Sequence, residues 1–493
     1  MNYILSIDQG TSSTKTLLFD DAGKAVARGM EPLQTKYLSG GHVEQDPEAI
    51  IQNVLASAKN CLVDFEKQGG NVELIKAIGI SNQRETFVIW DKAGKPLYNA
   101  VVWQCKRSTA ICERLAASPI AEAIKTKTGL LVDPYFSGTK LVWLYENEPV
   151  IRTAIDKGEA FFGTIDSWLL YQFTHGKSYY TDYTNASRTL FFNIHTLNWD
   201  EALLQQFQLK GLNLPRCVPS SWNFGETDLM GLLKQTIPIT GMIGDSQAAA
   251  FGQGCFEAGS AKATLGTGCS VMMNIGDQPT ISTTGMVTTI CWSTEQQVCY
   301  ALEGVIVSCG ATIEWLKKEL GLFSDSQQTE AMAITVEDNQ GVYIVPAFSG
   351  LGAPYWQMNR KASIEGLTFA ANKNHIVRAA LESIPYQVKD VLMAMEADAG
   401  VSLQQLMVDG GISSNTFVLQ FLADQLNKQV VVSGFPEVSA LGASYMAGLK
   451  AGVYKDLQQL RSLKAVSRVA QPAPTEKSTQ WYEGWKAIVS NRF

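Results

Sequence analysis

The pattern that most restricts what this chain can fold into occurs twice. Residues 5–20 read L-S-I-D-Q-G-T-S-S-T-K-T-L-L-F-D: an apolar strand reaches one carboxylate, Asp8, turns through small and hydroxyl residues from Gly10 to Thr14, and leaves as a second apolar strand. Residues 260–275, S-A-K-A-T-L-G-T-G-C-S-V-M-M-N-I, repeat the order strand, Gly/Thr corner, strand. Two such hairpins predict two similar domains, each opening on one, with the join near Pro238 to Gly252 and the domains set at 1–247 and 248–493. Strand and helix signals alternate elsewhere, which predicts an α/β architecture.

Individual elements follow from local rules. Asp46-Pro47 is a cap followed by a first-turn proline, and Ile50, Ile51, Val54, Leu55, Ala58 and Leu62 recur at helical spacing after it. Ala77–Ser81 reads as a buried strand, and Thr86–Trp90 as its partner across the polar corner Asn82-Gln83-Arg84-Glu85. Val408 to Asn415, V-D-G-G-I-S-S-N, reads as a strand-to-helix turn capped by Ser413 or Ser414. The stretch 471–476 is a surface connector before a last helix that carries Trp481, Tyr482 and Trp485 as packing residues.

Composition narrows the function classes. A length of 493 residues suggests two or three domains. The net charge of −7 argues against nucleic acid as the main partner. No apolar run approaches the ~18 residues of a membrane span, and no leader pattern is present, so a cytoplasmic protein is expected. The nine cysteines are scattered without a C-x-x-C pair and are expected to be reduced core thiols. The four histidines are too dispersed for a zinc site.

The hairpins have a chemical use. Backbone N–H groups converging in a tight Gly/Thr turn suit phosphate oxygens, and small side chains let a phosphate approach. Asp8, at a strand end, suits a magnesium ion held through oxygen ligands. A plain polar hairpin explains the opening equally well. The chain lacks G-x-x-x-x-G-K-[ST] and G-x-G-x-x-G, so neither a Walker loop nor a dinucleotide site is indicated. The Gly410-Gly411 pair would let a flat group lie on bare backbone, with Asn415 at its edge.

Taken together, the two hairpins and this glycine pair resemble the nucleotide cleft of the actin-like (ribonuclease H-like) ATPases. Two longer stretches narrow the likeness. Tyr135-Phe-Ser-Gly-Thr-Lys140-Leu-Val-Trp143-Leu-Tyr-Glu-Asn147, and Ala362-Ser-Ile-Glu-Gly366-Leu367 with His375-Ile376 and Ala379-Ala380-Leu381-Glu382, resemble the two signatures of the FGGY carbohydrate kinases. Asp8 to Thr11, Asn82 to Thr86, Val102 to Cys105, Asp182 to Arg188, Phe192 to Leu197 and Val345 to Trp356 extend the resemblance over roughly residues 1–460.

The resemblance implies two actin-like domains flanking a nucleotide cleft. It also implies transfer of the γ-phosphoryl group of ATP, with Mg2+, to a small polyol, glycerol first. It allows a homo-oligomer, dimer or tetramer. Asp245 then matches the family's base, where a helix cap is the alternative. Asp8 and Asp245 would serve the metal. Thr11, Ser12, Ser13, Lys15, Gly266, Thr267, Gly310, Glu314, Gly411 and Asn415 would serve the nucleotide. Arg84 and Glu85 would hydrogen-bond the acceptor, though the pair alone reads as an exposed salt bridge, and Trp103 and Tyr135 would wall the pocket. Two positions depart from the pattern: Ser246 stands where Gln is usual and Ser270 where an aromatic is usual. Both enlarge and wet the pocket, which points to a polyol of four or five carbons as one alternative and a pentulose as another. A non-enzymatic actin-like ATP-binding protein is the rival from another class, and the polar set Arg84, Glu85, Trp103, Asp245 weighs against it. Two lesser expectations concern a kink near 381–385 from Pro385, and no control by histidine phosphorylation, since 222–237 holds no histidine.

Overall fold

A computed structural model describes residues 2–491. Two large sheets organise the chain. The first contains six strands in the order Ser221–Thr227, Ile237–Gly244, Ile75–Asn82, Tyr3–Gln9, Ser13–Asp20 and Ala25–Pro32. The second contains seven, in the order Val287–Ser293, Val298–Ile306, Cys269–Gly276, Ser260–Leu265, Gln405–Asp409, Val430–Ser433 and Val466–Ala470. Both are built alike. The hairpin pairs antiparallel, a third strand adds antiparallel beside it, and on the other flank two parallel strands follow. One antiparallel strand ends that flank. The faint echo between residues 5–20 and 260–275 is therefore a duplicated sheet topology. A smaller sheet holds Lys36–Tyr37, Val43–Gln45, Ala100–Val101, Phe87–Trp90 and Phe161–Thr164.

The helix Pro47–Lys67 forms as its sequence predicts. The Asp46 carboxylate accepts from the Glu48 and Ala49 amides, Pro47 occupies the first turn, and Ile50, Ile51, Val54, Ala58 and Leu62 are buried. This face covers the outer strands of the first sheet and shares one core with Leu5, Ile7, Leu18, Ile78 and Ile80. The helix Val438–Lys450 lies in sequence between two strands of the second sheet yet packs on the first, which draws Ile4, Ala77, Ile243, Ala443 and Met446 into one cluster with Met272 and Trp292. The last helix, Glu476–Ser490, is anchored by Tyr482 and Trp485, which donate to the buried Asp390 at 2.6 and 2.7 Å. No helix among the described residues is long and apolar enough to cross a membrane. All nine cysteines are free, and all but Cys217 are buried.

Two local expectations are corrected. Phe87–Trp90 is a strand but not the partner of Ile75–Asn82, because both flanks of that strand are occupied by Tyr3–Gln9 and Ile237–Gly244. The corner between them instead bends sharply, with Glu85 at φ 59°, and delivers Phe87–Trp90 to the smaller sheet. Pro385 lies inside the helix Lys373–Ala399, which runs through it without interruption. The helix Thr416–Leu426 is capped by Asn415, not by Ser413 or Ser414.

Candidate active site

The Asn82–Glu85 corner leaves the first sheet at the C-terminal end of its central strand, facing the second sheet. Arg84 and Glu85 are both buried, at 5% and 1% exposure, so they are not the surface ion pair that the dipeptide suggests. Nor do they pair with each other. The terminal nitrogens of Arg84 donate to the two oxygens of Glu303, at 2.9 and 3.2 Å, a bidentate contact from one sheet to the other. Its Nε lies 3.3 Å from Asp245 Oδ1. Arg188 Nε donates to Glu85 Oε1 at 2.6 Å. Its Nη1 approaches Glu303 Oε2 at 2.8 Å without an aligned hydrogen bond, so that contact is Coulombic. The result is an alternating chain, Glu85–Arg188–Glu303–Arg84–Asp245, buried except at Asp245, whose side chain is 39% exposed.

Burial works against the charge of Glu303, yet Arg188 and Arg84 hold it well below the usual carboxylate range. Burial pushes Glu85 up, against the pull of Arg188 and Arg84. Its left-handed backbone is an uncommon strain for a non-glycine residue, held by Ser137 Oγ donating to the Glu85 carbonyl at 2.8 Å.

Asp245 is the first residue of the helix Asp245–Gly252, with Gly244 in the cap position, so its carboxylate does not serve as the helix cap. A polar network fixes the chain just before it. The Gly244 amide donates to Thr184 Oγ1 at 2.8 Å, and Thr184 Oγ1 bonds the Asp182 carboxylate at 2.7 Å. Asn185 and Asn82 exchange amide hydrogen bonds at 2.8 and 3.0 Å, tying the same network to the Arg84 corner. Opposite Asp245, Asp8 accepts from Ser81 Oγ at 3.0 Å. Burial and then the charge of Asp245 push Asp8 up to about 6, with Ser81 and Lys15 opposing.

Two aromatic side chains stand beside this cluster. Trp103 and Tyr135 meet edge to face at 5.6 Å, and Arg188 lies over the Tyr135 ring. Their backbones are joined by the buried Lys140, whose Nζ donates to the Tyr135 carbonyl at 2.8 Å and the Trp103 carbonyl at 3.3 Å. Ser270 Oγ donates to Glu303 Oε1 at 3.3 Å, which puts it at the charge cluster, and Ser246 is half-buried beside Asp245.

The nucleotide candidates fall into separate groups. The Thr11 hydroxyl accepts from Trp103 Nε1 at 2.9 Å and donates to Gln83 Oε1 at 3.2 Å, so it is committed to these two side chains. Ser12 and Ser13 stand at the same turn, and Lys15 pairs with Asp8 across the hairpin. On the second sheet, the Gly266 and Thr267 carbonyls accept from the amides of Cys309, Gly310 and Ala311. The turn thus sits on the start of the helix Gly310–Lys318, and those amides are spent. Glu314, further along that helix, is exposed, accepts from Ser326 Oγ at 3.1 Å and faces Lys318. Gly411, Ile412 and Asn415 line a cavity of about 290 Å³ together with Ile313, Leu381 and Thr329. A larger hollow of about 660 Å³ lies along Tyr355–Ser363 and Asn491 and contains no carboxylate.

Sequence reasoning missed three members of this site. Glu303 is a lone acid in the apolar run C-Y-A-L-E-G-V-I, which was a usable signal. Arg188 and Lys140 lay inside motifs already singled out, but nothing local tells a buried cation from an exposed one.

The deciding observation is that both halves of this arrangement match known domain models. The FGGY family of carbohydrate kinases, N-terminal domain, matches residues 3–252, and its C-terminal domain matches residues 261–451. The chain belongs to the FGGY family of carbohydrate kinases. Curated relatives include the glycerol kinase of Thermoanaerobacter sp. (strain X514), 47% identical over 489 residues, covering 99% of this chain and 98% of the relative. The glycerol kinase of Carboxydothermus hydrogenoformans (strain ATCC BAA-161 / DSM 6008 / Z-2901) is 46% identical over 490 residues, covering 99% and 97%. Among solved structures, Plasmodium falciparum glycerol kinase with ADP superposes with a TM-score of 0.95 at 38% identity, covering 100% of this chain and 99% of that one. A gluconate kinase from Lactobacillus acidophilus shares the fold, with a TM-score of 0.88 at 22% identity over 99% and 97% of the two chains. The FGGY expectation and the two-domain actin-like fold are thus established, and the protein is a kinase.

Proposed function

We propose that this FGGY kinase transfers the γ-phosphoryl group of ATP to a terminal hydroxyl of glycerol. The observation that carries the reading is the buried charge chain that ends at Asp245, the one exposed carboxylate in it, between two sheets of matching topology. Full-length relatives named glycerol kinase support the acceptor.

Phosphoryl transfer to an alcohol needs positioning, charge stabilisation and a base near the hydroxyl proton. Asp245 is the base, since it is accessible and held at a helix start, its Oδ1 accepting from the Ser246 amide at 2.7 Å and facing Arg84 Nε. Arg84 retains donors beyond its contacts with Glu303 and Asp245, and Glu85 retains its second oxygen, so the pair offers the acceptor hydroxyls a donor and an acceptor. Trp103 and Tyr135 flank its carbon skeleton. Ser12, Ser13, Lys15, Gly266 and Thr267 serve the phosphates, with Gly310 and Glu314 behind that turn. Gly411 and Asn415 serve the base in the 290 Å³ cavity. Asp8 and Asp245 fit a magnesium ion: burial and then the charge of Asp245 raise Asp8, and a cation beside them would relieve both. No third acid or histidine joins them among the described residues, which suits an ion that keeps water and phosphate oxygens as its other ligands. When bound, such an ion neutralises charge on the phosphate oxygens.

A second acceptor reading has its own observation. Ser270 presents a hydroxyl beside Glu303, and Ser246 another beside Asp245, so the pocket offers extra polar partners to a four- or five-carbon polyol. Steady-state rates of ADP formation with glycerol, erythritol, threitol and ribitol separate the two. A clear preference for glycerol upholds the first reading, and a preference for a longer polyol upholds the second. Loss of polyol-dependent turnover in Asp245→Asn by about 10²-fold or more is expected for either. An Asp245→Asn protein as active as the parent refutes both.

A further inference from the structure

Resting on the kinase reading above, we propose that Glu303 is a positioning residue for phosphoryl transfer: it anchors Arg84 from the opposite sheet, so that the acceptor site is complete only when the two lobes are together.

The argument begins with the donors of Arg84. A guanidinium offers five N–H groups in a rigid fork. Both terminal nitrogens of Arg84 are directed at Glu303, and only Nε faces Asp245. The stronger, two-point contact therefore goes to a residue that takes no part in the chemistry. The single, longer contact of 3.3 Å goes to the base. Without a carboxylate at 303, the nearest anion left to the fork is Asp245. A bidentate pair there would occupy the oxygens that must receive the acceptor proton.

Glu303 also approaches Arg188, which in turn holds Glu85, so one carboxylate sets the position of both polar acceptor residues. The contact spans the molecule. Arg84 and Arg188 belong to the half that carries the first sheet, while Glu303 lies on the strand Val298–Ile306 of the second. All three side chains are no more than 5% exposed. Parting the sheets at this point would strip Glu303 of both guanidiniums and leave Arg84 only its Nε contact with Asp245, so alignment of the acceptor site and closure of the lobes are one event.

The test compares the parent with Glu303→Gln and Glu303→Asp, measuring kcat and KM for glycerol and for ATP, and ATP binding by calorimetry. In Glu303→Gln, kcat/KM for glycerol should fall about 10²-fold, while KM and affinity for ATP stay within about threefold. Glu303→Asp keeps the charge but has a shorter reach; it should recover part of the loss in glycerol kcat/KM. A role confined to stability would lower the melting temperature and the active fraction and leave KM for glycerol unchanged. If Glu303→Gln does not fold, Glu303→Asp decides: an unchanged KM for glycerol and kcat within threefold overturn the proposal. A parent that shows no polyol-dependent turnover overturns the kinase-acceptor reading instead, so the two failures are distinguishable.

Discussion

Replacing Gly442 by Ala should disable the enzyme through a helix that the substitution does not itself occupy. Gly442 lies in the helix Val438–Lys450 where it crosses the helix Asp245–Gly252. A Cβ at Gly442 would stand 1.9 Å from the Ala248 carbonyl oxygen and 2.6 Å from its carbon. Real Cβ atoms essentially never come within 3.0 Å of a neighbour, so the crossing must open by about 1.1 Å. The Val438–Lys450 helix cannot retreat far, because a Cβ at Gly79 would already be 2.3 Å from the Ala443 oxygen, which shows how tightly it lies on the first sheet. The movement therefore falls on the Asp245–Gly252 helix, three residues beyond the base. Overpacking of this kind costs about 1–3 kcal/mol of stability. A misplacement of about 1 Å at reacting groups costs about 10²-fold in rate. Gly442→Ala should thus show a modest fall in melting temperature, a drop in kcat of about 10²-fold, and little change in KM for ATP, since the cavity proposed for its base lies on the other lobe. Thermal unfolding followed by circular dichroism and a coupled ADP assay measure all three. A kcat within threefold of the parent, with an unchanged melting curve, would refute the claim that this crossing positions Asp245.

Two further outcomes follow from the same geometry. Gly411 has no atom within 4 Å of its would-be Cβ and no left-handed backbone, so Gly411→Ala should leave stability unchanged yet raise KM for ATP about tenfold; an unaltered KM would move the base elsewhere. Lys140 is fully buried, and burial lowers it from 10.5 to about 7. Between those values the unfolded chain holds the proton more than the folded one, so its penalty is full below pH 7 and relieved as pH rises toward 10.5. The parent should therefore gain up to about 1.4 kcal/mol per pH unit over this window relative to Lys140→Met. Denaturant unfolding of both proteins at several pH values measures it, and parallel stability profiles would contradict the assignment.

Much of the fold was legible because its signals are local. Asp46 with Pro47 and the apolar spacing after it determined one helix, and the two Gly/Thr hairpins announced a duplicated unit. The residues proposed for the site, Asp8, Arg84, Glu85, Trp103, Tyr135 and Asp245, could be named from the sequence as strand-end and corner groups within long signatures. The partners of those residues were not. Phe87–Trp90 is a strand by composition, but the sheet it joins depends on which edges other segments have filled. Arg84 and Glu85 read as an ordinary surface pair until Glu303, 219 residues away, and Arg188, 103 residues from Glu85, were brought beside them. By itself the sequence determined element types, the duplication and the chemical character of the cleft, since periodicity, caps and turn residues act over a few positions. The tertiary structure decided how those charges are shared, because an ion pair between lobes is set by where two sheets bring their side chains and leaves no trace in either segment alone.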